Sequence, residues 1–187
     1  MCIIIVKTEY SKLDLNILKK SWNINNAGAG FAYIHNNELI LENNLFTFDE
    51  FYRKYISNNV DNKKSIIHFR NPTRGDKNNT QPINIGTGVL AHNGTIKDLG
   101  VPNIGKSDSK LFAEMVYNYT NDEIKLKQKE LEKYINIGRI VFLMNNGELI
   151  FLNKDLWIIK DGVYFSNDKI FNKKILSLKE WIEQKII

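Results

Sequence analysis

The chain has 187 residues, 43% hydrophobic and 11% aromatic, with a net charge of +5 from 26 basic and 21 acidic side chains. Those values fit one folded domain over residues 1–187 and argue against disorder. No window of about 18 apolar residues and no basic leader is present, which argues against a membrane span or a signal peptide and makes the cytoplasm the expected location. The single cysteine excludes an internal disulfide, and Cys2 with His35, His68 and His92 shows no metal-binding spacing, so neither a metal nor another cofactor is expected. The positive charge comes from lysines scattered beside asparagines, as in "NNVDNKK", and no motif of stacking aromatics with Lys and Arg accompanies it. It reads as solvated surface and argues against a nucleic-acid partner.

Taken in chain order, Cys2 to Val6 is an apolar run that predicts a buried strand, and Leu13 to Trp22 predicts a helix with Leu13, Ile17 and Leu18 on one face. Phe31 to Ile34 and Glu38 to Leu41 predict a hairpin turned at "HNN". Thr47 and Glu50 have capping-box spacing and start a second helix. "KSIIHFR" and "TGVLAHNG" are strand-like and end in polar residues, after which "SDSKLFAEMVYNY" predicts a helix burying Leu111, Phe112, Met115 and Val116. Glu123 to Tyr134 predicts a charged helix. Asn146-Gly147 and Asp161-Gly162 then mark two more hairpins. A last helix is expected from Ser177, with Glu180 as its capping partner. Many hairpins with several amphipathic helices indicate the α+β class, antiparallel sheet covered by helices.

Four stretches carry polar residues at element ends, and each has a bland reading beside a chemical one. Cys2 behaves as a small hydrophobe at the head of a strand. Alternatively, removal of Met1 leaves a thiol and a free α-amine, with an ordinary pKa of about 8, on one residue that supplies both nucleophile and base. Arg70 reads as an ion-pair residue, His92 as a core histidine, Asn93-Gly94 as a turn, and Asp108 as a first-turn helix acid.

Taken together, Met1-Cys2, "HFRNPTRG" (His68 to Gly75), "AHNGTI" (Ala91 to Ile96) and "SDSKLF" (Ser107 to Phe112) stand in the order of the class II, or N-terminal nucleophile (Ntn), glutamine amidotransferase family. The chain resembles that family over most of its length, with weaker echoes in "NNAGAGFAY" and "GVYFSND". The resemblance implies a four-layer αββα sandwich with two antiparallel sheets. It implies hydrolysis of L-glutamine to glutamate and ammonia through a γ-glutamyl thioester on Cys2. Asn93 and Gly94 would supply the oxyanion hole, Arg70 would hold the substrate α-carboxylate with Thr73 and Gly75 in the same loop, and Asp108 would pair with the α-ammonium. About 70 residues follow the last motif, too few for a synthase of ordinary domain size. The ammonia-accepting enzyme is therefore expected to be a separate protein.

The sequence departs from the family pattern at Ile3, Ala27, Pro72, Arg74 and Gln81, the last two standing where the family has histidines. None of these positions is assigned to bond breaking, but Arg74 puts extra positive charge near the expected carboxylate pocket. Two rival functions stay open: an Ntn amidohydrolase of a γ-glutamyl or related amide, and a catalytically silent binding or regulatory module of the same fold.

Overall fold

The structure, a computed structural model, describes residues 1–71, 77–99 and 105–171. Six strands, β1 (Ile3–Lys7), β2 (Ala29–His35), β3 (Glu38–Leu45), β4 (Ser65–Phe69), β9 (Ile158–Lys160) and β10 (Val163–Phe165), form one antiparallel sheet in the order β3-β2-β4-β1-β10-β9. Four more, β5 (Ile83–Asn84), β6 (Gly88–Asn93), β7 (Arg139–Met144) and β8 (Leu149–Leu152), form a second sheet in chain order. Helices α1 (Leu15–Ile24) and α2 (Phe48–Ser57) belong to the first sheet. Helices α3 (Asp108–Met115), α4 (Asn121–Leu126) and α5 (Gln128–Ile135) belong to the second.

Strand alternation sorts the apolar side chains into three packed layers. On β1, Ile3 and Ile5 pack with Leu18, Phe51 and Tyr55 under α1 and α2. Ile4 and Val6 face the other way and meet Val89, Ala91, Val141 and Leu143 of the second sheet. Leu90, Ile140 and Phe142 then face Phe112, Ile124 and Leu131 of the other helical layer. The stack is helix, sheet, sheet, helix, the αββα arrangement. Among the described residues no helix is long and apolar enough to cross a membrane.

The local signals act where they were placed. Asn36 and Asn37 both take positive φ at the β2-β3 turn, as do Gly147 and Asp161-Gly162 at the two later hairpins. Thr47 caps α2 by accepting from the Glu50 N–H at 3.2 Å, and Ser107 caps α3 by accepting from the Lys110 N–H at 3.2 Å.

Three expectations are corrected. Strand β1 is shifted by one residue: it starts at Ile3, leaving Cys2 ahead of it, and runs to a fully buried Lys7 whose ammonium donates to the main-chain carbonyls of Thr8, Asp61 and Lys63. The face α3 buries is Asp108, Ser109, Phe112 and Ala113, continuing to Val116, while Met115 is 42% exposed. Anchoring the polar first turn inside the molecule rotates the helix away from the purely apolar stripe that the sequence suggests. The charged helical stretch is two helices, because Lys127 leaves helical geometry (φ −91°, ψ 6°), and it starts earlier, at a complete Thr120–Glu123 capping box. The helix expected from Ser177 lies outside the described residues.

Candidate active site

Cys2 sits at the head of the central strand of the larger sheet. The β1-β4 register pairs Ile3 with Phe69, which puts Cys2 opposite Arg70. The Cys2 sulfur lies 3.5 Å from the Asn71 N–H, which donates to it, and 3.7 Å from the Asn71 carbonyl. Arg70 is 5% exposed, and its main chain is tied to the entry of β2 by an N–H donated to Gly28 O at 2.9 Å and a carbonyl accepting from the Ala27 N–H. That entry is built for close approach: a side chain at position 30 would collide with the Gln81 carbonyl.

The second sheet delivers "HNG" to the same place. Asn93 ends β6, and Gly94 follows where chains crowd: a Cβ there would lie 2.8 Å from Gly138 Cα and 2.9 Å from His92 Nε2. Helix α3 completes the pocket with its first turn. The Asp108 carboxylate is 8% exposed and accepts from two main-chain N–H groups, Ile96 at 2.7 Å and Ser109 at 2.9 Å. Cys2, Arg70, Gln81, Gly94, Asp108 and Ser109 line one pocket that is partly open to solvent, and Met1 lines it as well.

Four of the sequence-assigned residues, Cys2, Arg70, Gly94 and Asp108, are therefore brought together on one cavity. Asn93 adjoins it without lining it: the side chain is 1% exposed, with Nδ2 donating to Ser166 Oγ at 3.0 Å and to Ser166 O at 3.3 Å. Thr73 and Gly75 lie outside the described residues, as do Pro72 and Arg74.

The Cys2 thiol is pushed up from its ordinary value by burial. The Asn71 N–H, the chain's N-terminal charge and Arg70 oppose that shift, and Asp108 adds to it. A raised thiol stays protonated at neutral pH, so attack by it requires a base at the moment of reaction. In the chain as it stands, the Cys2 nitrogen is a peptide nitrogen with no basic lone pair. The preceding Met1 carbonyl accepts from Asn25 Nδ2 at 3.2 Å.

Several residues to which the sequence assigned no part in the site hold this arrangement. Gln81, seen in the sequence only as a departure from a pattern, is 4% exposed and accepts the His92 N–H at 2.6 Å while its amide donates to Ser109 Oγ at 3.2 Å. His92 Nδ1 lies 2.9 Å from the same Ser109 hydroxyl. Asn167 Nδ2 donates to the Cys2 carbonyl at 2.7 Å. The faint "SN" echo in the sequence was the one available signal for Ser166 and Asn167.

Two histidines are held neutral nearby. Burial pushes His68 down to about 3, helped by the neighbouring Arg70 and His92 charges, and neither ring nitrogen has a hydrogen-bond partner of normal geometry among the described residues, although the His92 main chain weakly favours the charged ring. Burial pushes His92 down to about 4 against the pull of Asp108. Between pH 6.5 and about 4 the unfolded chain binds protons at both positions that the folded chain does not, so unfolding free energy falls with pH by about 1.4 kcal/mol per unit for each. Urea unfolding at pH 7, 6 and 5 is expected to show that slope, and His68→Leu to remove about half of it. Parallel stability curves for the two proteins would contradict the buried neutral assignment.

No protein-family model matches the sequence, and no curated protein matches it. Among solved structures the chain is similar to a glutamine phosphoribosylpyrophosphate (PRPP) amidotransferase from B. subtilis complexed with ADP and GMP, at 17% identity and a TM-score of 0.58. The match covers 91% of this chain and 43% of that one, so the chain spans less than half the length of that protein. At that identity the likeness establishes the fold, an α+β sandwich of Ntn-hydrolase type with two antiparallel sheets.

Proposed function

We propose that this chain is a glutaminase-type class II amidotransferase domain spanning residues 1–187, which hydrolyses L-glutamine to glutamate and ammonia in the cytoplasm. The observation that carries the reading is the convergence of Cys2, Arg70, Gly94 and Asp108 on one pocket of an Ntn-type sandwich. Removal of Met1 frees the Cys2 α-amine and takes away one of the side chains that line the pocket. The thiol attacks the side-chain amide carbon of glutamine while the α-amine accepts the thiol proton. The tetrahedral oxyanion is met by the Gly94 N–H and the Asn93 amide. Collapse of the intermediate expels ammonia, which leaves with the proton the amine held, and a γ-glutamyl thioester remains on Cys2. Water then hydrolyses the thioester with the amine again acting as base.

Recognition follows from charge. The Arg70 guanidinium takes the substrate α-carboxylate in a forked contact, with Thr73 and Gly75 as further carboxylate-binding residues, and Asp108 takes the α-ammonium. The buried, doubly hydrogen-bonded state of Asp108 supports this: its two main-chain donors fix the direction of the carboxylate. Ammonia passes to an acceptor reaction outside these residues.

Steady-state release of ammonia and glutamate from L-glutamine tests the reading. Equimolar products from the wild-type chain are expected, with no turnover of D-glutamine, whose charged ends cannot reach Arg70 and Asp108 together. Turnover of γ-glutamyl amides without turnover of glutamine would transfer the site to a different amide. No turnover of either would leave a silent module of the same fold.

A further inference from the structure

We propose that Ser166 is a positioning residue for oxyanion stabilisation, setting the orientation of the Asn93 side-chain amide; this rests on the glutaminase reading above and deepens it. Ser166 immediately follows β10 and is wholly buried. It is stitched to the nucleophile strand in both directions, its N–H donating to Ile4 O at 3.0 Å and its hydroxyl accepting the Ile4 N–H at 2.9 Å. The same hydroxyl accepts from Asn93 Nδ2 at 3.0 Å, across the seam between the two sheets. One side chain therefore touches both the strand that carries Cys2 and the residue that precedes the Gly94 N–H.

The hydrogen bonds here are unbalanced. Asn93 directs its donors at Ser166, while its Oδ1 is buried without a partner among the described residues. The Ser166 hydroxyl accepts twice, and its own proton has no acceptor among the described residues. A buried unpaired acceptor beside an unplaced hydroxyl proton is costly, and the two deficits are complementary. Turning the planar amide over pairs the Ser166 O–H with Oδ1 and frees Nδ2, in the same volume, at the cost of the long contact to the Ser166 carbonyl, which then faces an acceptor in place of a donor. The freed N–H groups are what a developing oxyanion beside Gly94 requires. Ser166 thus serves the resting amide as an acceptor and the turned amide as a donor, and its attachment to Ile4 keeps both arrangements in register with the nucleophile.

The test compares wild type with Ser166→Ala, Ser166→Thr, Asn93→Ala and the double variant Ser166→Ala with Asn93→Ala. It measures kcat and KM for L-glutamine, affinity for glutamate γ-semialdehyde, inhibition by L-glutamate and the thermal midpoint. The aldehyde is the informative probe, because the thiol adds to its carbonyl to give a tetrahedral hemithioacetal without a leaving group. Ser166→Ala is expected to lower kcat roughly 10- to 100-fold, less than the ~10²- to 10³-fold cost of removing an oxyanion donor outright, because the Asn93 amide remains and only its orientation is lost. Its KM stays within about twofold, because the contact is made only in the transition state. Aldehyde affinity falls by the same factor as kcat, glutamate inhibition is unchanged, and threonine, which keeps the hydroxyl, restores activity. In the Asn93→Ala background the Ser166 change costs nothing more, because both act through one amide. Should the alanine variant fail to fold, Ser166→Cys carries the same test, since its thiol fits the site but hydrogen-bonds weakly.

An active wild type whose Ser166 variant keeps its kcat and aldehyde affinity, or whose losses multiply with those of Asn93→Ala, overturns this inference and leaves the glutaminase reading standing. A wild type with neither turnover nor aldehyde adduct overturns that reading and the inference with it.

Discussion

Replacing Cys2 by alanine is expected to lower glutamine hydrolysis by roughly 10⁴- to 10⁶-fold, the order found when an acyl-transfer nucleophile is removed. The size of the effect follows from the division of labour at the pocket. The remaining groups bind the substrate and stabilise an oxyanion, but with no thiol there is no covalent intermediate and the α-amine has nothing to activate. The fold is expected to survive. Cys2 precedes β1, its main chain is held by the Asn167 amide through the Cys2 carbonyl, and its side chain belongs to none of the three apolar clusters. Alanine is also small enough for Met1 to be removed ahead of it, so the variant keeps a free α-amine and isolates the thiol. Ammonia release unchanged in Cys2→Ala, from a protein with an unchanged thermal midpoint, would remove Cys2 from the chemistry.

Asp108→Asn is expected to cost about 30- to several thousand-fold in kcat/KM, the equivalent of the 2–5 kcal/mol lost when one member of a buried, hydrogen-bonded charge pair is truncated. Most of the loss belongs in KM, because the ammonium of the substrate touches this carboxylate equally before and during reaction. Asparagine keeps the shape of the side chain but not its symmetry. The Ile96 and Ser109 N–H groups meet the two carboxylate oxygens separately, and an amide can accept at only one of those places. A local structural penalty therefore accompanies the electrostatic one, and a second substrate separates them. Glutaramate, which is glutamine without its α-amine, is expected to react poorly with wild type and to lose only the structural part of the penalty in the variant, a much smaller factor than glutamine loses. An equal loss on glutamine and glutaramate would mean that Asp108 supports the loop and does not read the ammonium.

What the sequence made legible was local chemistry. Asn36-Asn37, Asn146-Gly147 and Asp161-Gly162 announce hairpins because few other residues take positive φ at low cost, and each turn stands where those residues do. Thr47 and Ser107 announce helix starts because their hydroxyls satisfy otherwise unpaired N–H groups. The positions of Cys2, Arg70, Gly94 and Asp108 were readable as motifs, but their meeting was not, because it depends on the pairing of Ile3 with Phe69 and on β6 lying across the seam from β1. Nothing local encodes such long-range register.

The departures have the same origin. The α3 face departs from the apolar stripe at Leu111 and Met115, while Phe112 and Val116 are buried as expected, because Asp108 and Ser109 are buried to build the pocket. Gln81 and Ser166 carry no signature of their own. Their roles appear only when His92, Ser109, Ile4 and Asn93 surround them.

The most direct test is an intact mass of the purified protein before and after exposure to a glutamine analogue bearing an electrophile in place of its side-chain amide, with Cys2→Ala alongside. The expected result is a wild-type chain lighter by one methionine that gains a single adduct, and a Cys2→Ala chain, also lacking Met1, that gains none. Retained Met1 with no adduct on wild type, or an adduct that persists in Cys2→Ala, would contradict an N-terminal cysteine nucleophile in a glutamine-reading site.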